Sequence, residues 1–80
     1  MKTIRFTEDA ANDMARYATV AERIIKTFER YAAGGKANVV TMKDGSGKRL
    51  RVGDYRALFR ETADEIVVSK VRPRSKAYDD

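Results

Sequence analysis

Arg49-Leu50-Arg51-Val52-Gly53-Asp54-Tyr55-Arg56-Ala57-Leu58-Phe59 is the stretch that decides the fold. Apolar and basic residues alternate on both sides of Gly53-Asp54, and a two-residue turn with glycine first is a hairpin signal. Such a turn fixes the register of its strands. Val52 then faces Tyr55, Arg51 faces Arg56, Leu50 faces Ala57 and Arg49 faces Leu58. One side presents Leu50, Val52, Tyr55, Ala57 and Phe59, a face made to be covered by helices. The other presents Arg49, Arg51, Arg56, Leu58 and Arg60. Directly opposed like charges weaken a sheet, so Arg51 across from Arg56 needs a reason. Arg60 is expected to lie opposite Glu65 across a four-residue turn, whereas Arg49, Arg51 and Arg56 have no acidic partner in the local register.

Before the hairpin, Ile4 and Phe6 alternate with Thr3, Arg5 and Thr7, which predicts a short strand. A helical stretch follows from Glu8 to Ala33, where Met14, Tyr17, Ala18, Ala21, Ile24, Ile25, Phe28, Tyr31 and Ala32 form one stripe at helical period. Thr7 suits an N-cap, with Glu8 and Asp9 in the first turn. Thr19-Val20-Ala21-Glu22 has capping-box spacing, so the reading is two helices, about 8–18 and 20–33, ended by Gly34-Gly35; one unbroken helix is the alternative. Asn38–Lys43, Lys48–Val52, Tyr55–Arg60 and Ile66–Val71 read as strands, the last central in the sheet. Strand, two-helix hairpin and antiparallel meander make an α+β fold with helices on one face of the sheet, in a single domain over residues 1–80.

Composition narrows the chemistry. The chain has 80 residues, 17 Lys+Arg against 12 Asp+Glu, and no Cys, His or Trp. Disulfides, ordinary zinc sites and Ser-His or Cys-His nucleophiles are excluded, so no metal and no cofactor is expected. Catalysis would have to run on Arg, Lys, Tyr, Asp or Glu. No apolar run approaches the ~20 residues of a membrane span, and no signal-peptide core follows the opening residues, so a cytoplasmic location is expected and no membrane partner. The charge is uneven: residues 1–35 carry 6 basic and 5 acidic side chains, residues 36–78 carry 11 and 5. An anion-binding surface therefore belongs to the second half. A solvated sheet face is the ordinary explanation of exposed basic strands. Against it, the residues are nearly all arginine, which suits bidentate phosphate binding, two of them oppose each other, and Arg72, Arg74 and Tyr78 follow.

The hairpin stretch resembles the core of RelE/ParE-superfamily toxins from bacterial type II toxin–antitoxin systems. Glu65-Ile66-Val67-Val68 follows at the family's distance, and Val71-Arg72-Pro73-Arg74-Ser75-Lys76-Ala77-Tyr78 is similar to its closing segment. The resemblance covers nearly the whole chain and implies a sheet of the microbial-ribonuclease type with helices on one face. RelE-like members cleave mRNA in the ribosomal A site; ParE-like members inhibit DNA gyrase without nuclease activity. A nontoxic relative that keeps only antitoxin binding is a third reading. A cognate antitoxin is the partner implied in every case, with ribosome and mRNA, or gyrase, as target. For the RelE-like branch the resemblance implies that Arg56, Arg72 and Tyr78 are active-site residues. It puts Arg49 where the family has a catalytic Lys, with Lys48 beside it as the other candidate. Arg51 and Arg74 would contact the RNA backbone. Arginine, with a pKa above 12, clamps a phosphate better than it accepts a proton, while a tyrosine near pKa 10 would need a basic setting to serve as a base.

Overall fold

The computed structural model describes residues 2–45 and 47–73. In chain order the elements are β1 (Thr3–Phe6), α1 (Glu8–Arg16), α2 (Ala18–Ala32), β2 (Asn38–Thr41), β3 (Lys48–Val52), β4 (Tyr55–Glu61) and β5 (Glu65–Pro73). They form an α+β fold with one five-stranded sheet in the order β1-β5-β4-β3-β2. The meander β2 to β5 is antiparallel, and β1 joins the far side of β5 in parallel, Ile4 opposite Ile66 and Phe6 opposite Val68. The strand expected at the centre is thus flanked on both sides.

The hairpin register is the one the turn dictates: Val52 opposes Tyr55, Arg51 opposes Arg56, Leu50 opposes Ala57 and Arg49 opposes Leu58. Gly53 supplies the positive φ, at 57°, that the turn requires. Arg60 is a correction. It opposes Val67, not Glu65, because β4 runs on to Glu61 and the turn lies one residue later than expected. Thr62 closes that turn: its N–H donates to the Glu65 carbonyl at 2.9 Å and its hydroxyl accepts from the N–H of Glu65 at 3.1 Å.

Thr7 caps α1, its hydroxyl accepting from the Ala10 N–H at 3.2 Å. The two helices meet at one residue. Tyr17 leaves helical geometry at φ −109° and ψ 48°, and its carbonyl accepts from the N–H groups of Val20 and Ala21. Helix α2 therefore starts at Ala18, and Thr19 is not its cap, contrary to the capping-box reading. The break also shifts the buried stripe. Val20, Ile24 and Phe28 are buried, while Ile25 stays 40% exposed at the edge. At the other end Gly34 (φ 91°) and Gly35 donate to the carbonyls of Tyr31 and Arg30, a Schellman arrangement that only a residue tolerant of positive φ completes cheaply.

Phe28, Phe59, Ile24, Leu50, Ile66, Val68 and Val71 are fully buried between the two helices and the sheet. Each such side chain contributes roughly 1.5–3 kcal/mol by leaving water. Phe59 meets Phe28 edge-on at 5.2 Å and Tyr31 at 5.8 Å between ring centroids, and Tyr17 tilts onto Tyr55 at 5.2 Å. No described helix is long and apolar enough to cross a membrane.

Candidate phosphate-binding face

The pleat sends alternate side chains to opposite faces, so the residues that do not enter the core gather on the open side of the sheet. Two cross-strand rows follow from the pairings. One runs Asn38, Arg51, Arg56, Arg72 across β2, β3, β4 and β5. The next runs Val40, Arg49, Leu58, Lys70. Three arginines thus stand side by side on three adjacent strands, with a fourth and a lysine in the neighbouring row. A shallow cleft of about 270 Å³ opens here, lined by Asn38, Val40, Arg49, Arg51 and Arg56.

Arg72 reaches this face through an irregularity in β5. Strict alternation from Ile66 and Val68 would put Lys70 and Arg72 under the helices. The register shifts between Leu58 and Phe59, so that Phe59 opposes Val68 while Leu58 opposes Lys70, and Ser69 becomes a bulge. The Ser69 hydroxyl donates to the Leu58 carbonyl at 3.2 Å and holds the bulge shut. Val71 then faces the core and Lys70 and Arg72 turn outward.

The bulge falls where β5 changes neighbour. Beyond Val68 its edge is no longer paired by β1 but covered by α1. The Thr7 hydroxyl donates to the Ser69 carbonyl, and buried Asp13 of α1 takes over the next backbone group, its Oδ2 accepting the Val71 N–H at 3.0 Å. The same oxygen accepts Nη1 of Arg72 in an ion pair. One carboxylate therefore ties α1 to the sheet edge and fixes the end of the arginine row. Arg56, in the middle of that row, is only 7% exposed. Burial restricts the rotamers of this guanidinium and holds it in the middle of the row.

Lys48 does not join this face. It pairs with Phe59 on the core side of the sheet, and its Nζ donates to Glu61 Oε1 at 2.7 Å. Glu61 also accepts from the Tyr31 hydroxyl at 2.7 Å and from Lys2 Nζ at 2.6 Å. Burial pushes the Glu61 carboxyl up, but hydrogen bonds from Lys2, Lys48 and Tyr31 outweigh it and bring its pKa down to about 2. The Tyr31 hydroxyl is raised, first by burial and then by its bond to Glu61, and the Lys48 ammonium is raised chiefly by the same carboxylate. This cluster clamps β1, α2, β3 and β4 together away from the arginines. Of the sequence candidates, Arg49, Arg51, Arg56 and Arg72 are brought together; Arg74 and Tyr78 lie outside the described residues.

Three contributors escaped the sequence reading. Asn38 and Lys70 enter through pairings that no local turn specifies. Asp13 is an acidic residue in the middle of a short helix, and only the packing of α1 on β5 gives it a partner. The spacing Val68-Ser69-Lys70-Val71, with core residues three apart in a strand, was the one available signal of the bulge. Among the described residues no group of three carboxylates is gathered as a metal site would need.

No protein-family model and no curated protein matches the chain. Solved structures do. A chain of the RelB–RelE antitoxin–toxin complex of Methanococcus jannaschii superposes with a TM-score of 0.76 at 22% identity, over 94% of this chain and 95% of that one. The fold is that of the RelE-like toxins. A chain of the E. coli DinJ–YafQ complex agrees at a TM-score of 0.69 and 4% identity, over 98% and 99% of the two chains. The second match shows the same fold with almost no sequence in common.

Proposed function

We propose that this chain is the toxin of a toxin–antitoxin pair and acts in the cytoplasm as a ribosome-dependent mRNA endoribonuclease. The observation that carries this is the row Arg51–Arg56–Arg72, with Arg49 beside it, on the open face of a RelE-like sheet. Opposed arginines cost a sheet stability, and a site that receives a phosphate gives that cost a use. The similar chains come from antitoxin–toxin complexes, which supports an antitoxin as the neutralising partner.

The chemistry follows from what RNA supplies. The 2′-oxygen attacks the adjacent phosphorus, its proton leaves, and the P–O5′ bond breaks to give a cyclic phosphate and a 5′-hydroxyl. Negative charge builds on the phosphoryl oxygens as the trigonal-bipyramidal state forms. Arg56 and Arg72 are assigned to those oxygens, where fixed guanidinium donors stabilise the transition state more than the ground state. Arg49 assists them, in preference to Lys48, whose ammonium is engaged on the other side of the sheet. Arg51 holds the backbone to one side, and Arg74 is assigned the same role. Tyr78 is assigned proton transfer or orientation of the 2′-hydroxyl; a neighbourhood of arginines favours its phenolate. The ribosome supplies the alignment that so small a site lacks, so cleavage of free RNA is expected to be poor.

The test is purified protein in a translating extract, with primer extension on the mRNA. New 5′ ends at A-site codons are expected, and Arg56→Ala should reduce their yield by about 10²–10³-fold, the usual cost of one transition-state donor. Intact mRNA together with loss of DNA supercoiling by gyrase would replace this reading with the gyrase-inhibitor one.

A further inference from the structure

A second basic concavity lies beside the arginine face. It is a groove of about 880 Å³ between the C-terminal half of α2, the chain leading into β2, and the β3–β4 turn. Its cations are Arg23, Lys26, Arg30, Lys36 and Arg51, and no carboxylate lines it among the described residues. The groove and the smaller cleft share two residues, Asn38 and Arg51. The two depressions therefore adjoin at the start of β2.

Basic residues on an exposed helix are usually a solvated surface. Here the backbone holds several of them in place. Arg30 Nε donates to the Lys36 carbonyl at 3.2 Å, just past the Schellman turn that ends α2. Arg51 Nε donates to the Gly53 carbonyl at 3.4 Å. The Arg23 guanidinium lies over the same turn, so close that a Cβ at Gly53 would sit 3.3 Å from Nη2. Among the described residues Lys26 is paired with a carboxylate, Glu22 at 3.1 Å, and both side chains are largely exposed, so the pair is weak. Five cations line the groove, against three apolar residues, Tyr31, Ala37 and Val52, and the Tyr31 hydroxyl is already bonded to Glu61. A protein partner draws most of its affinity from buried aromatic or aliphatic anchors, whereas a polyanion needs positioned cations along its length.

We propose that this groove carries an RNA phosphodiester backbone away from the arginine face, so that Arg23, Arg30 and Lys36 bind the nucleotides flanking the one held at Arg56. The assignment rests on the nuclease reading for the identity of the strand, but its own evidence is the groove.

The experiment uses uncleavable 2′-O-methyl RNA, about four and about twelve nucleotides long, spanning the usual range of single-strand sites. Affinity is read by fluorescence anisotropy as a function of salt. Wild type should bind the longer strand about tenfold more tightly than the shorter. The variant Arg23→Gln/Arg30→Gln/Lys36→Gln should bind the short strand as wild type does, lose the gain for the long one, and show a slope of log K against log salt shallower by about 2, the loss of three single-strand phosphate contacts. Arg23→Glu/Lys36→Glu, which leaves the Arg30 hydrogen bond in place, should behave alike and guards against a folding defect. Equal affinities for the two lengths, or an unchanged long-strand affinity in both variants, overturn the proposal. So does displacement of the long RNA by a polyglutamate peptide of equal charge at lower concentration, which would make the groove a protein site. A duplex RNA that competes better than the single strand keeps the phosphodiester assignment and makes folded RNA its source. If Arg49→Gln and Arg56→Gln leave short-strand binding unchanged while the length effect persists, the nuclease reading fails and the groove stands.

Discussion

At the scale of the residue, the arginines and Glu61 show how the same charge can serve opposite ends. Glu61 gathers Lys2, Tyr31 and Lys48 around one carboxylate and is held near pKa 2, against 4.5 for an ordinary glutamate. A folded-state pKa below the unfolded one means that the ionised form prefers the folded chain. Its contribution is complete above about pH 4.5 and disappears as the pH falls through about 2. Its side chain is only 15% exposed, so little of the effect is screened, and it is worth roughly 2–3 kcal/mol. We expect Glu61→Gln to be destabilised by about that amount at pH 7 and to match wild type near pH 2, as read from urea midpoints across the acid range. A constant gap between the two curves would contradict the clamp. Little of this was legible from the residues. Lys48 looked like part of the arginine run, and only the parity of the strand sends it to the other face. Tyr31 is legible as a stripe residue, but Glu61, expected in the turn after Arg60, ends β4 instead.

At the scale of the element, legibility tracks how local the determinant is. The β3–β4 register was readable because two residues set it, whereas the placement of α1 on β5 depends on Asp13, Thr7 and the Ser69 bulge, which are far apart in the chain. The break between the helices was foreseen but misplaced: a capping-box pattern at Thr19 competed with Tyr17, whose ring packs on Tyr55 and fixes the chain where it turns. The hairpin turn offers the clean test. Gly53 at φ 57° faces both a backbone penalty of roughly 1–2 kcal/mol on gaining a Cβ and a close approach to Arg23. Gly53→Ala should therefore lower stability by more than that backbone share, by roughly 2–3 kcal/mol in chemical denaturation. Gly45→Ala is the control. It has positive φ as well, but no heavy atom lies near its missing Cβ, so it should cost only the backbone share. Equal losses at the two sites would mean that the Arg23 contact has no weight.

At the scale of the whole molecule, the chain carries a net charge of +5, and among the described residues ion pairs and opposed arginines occupy different parts of the sheet. The Glu61 cluster, the Asp13–Arg72 pair and Arg5–Glu65 at 3.3 Å take up carboxylates around the rim of the sheet. Arg51 and Arg56 face each other in the middle, and directly opposed like charges lower sheet stability by roughly 0.2–1 kcal/mol. A chain of 80 residues has little stability to give away, so such an arrangement persists when function requires it. A measurable trade-off follows. Arg51→Gln keeps the length and polarity of an exposed residue, removes one charge of the opposed pair, and should raise the thermal midpoint by a few degrees at low salt. Added salt should shrink that gain, because screening relieves wild type of the same repulsion. Inorganic phosphate should stabilise wild type more than chloride of equal ionic strength, and Arg51→Gln less so, because only an occupied face turns the opposed guanidiniums from a cost into a binding site. A variant less stable than wild type at low salt, with phosphate and chloride equivalent for both, would mean that the face is not held ready for an anion.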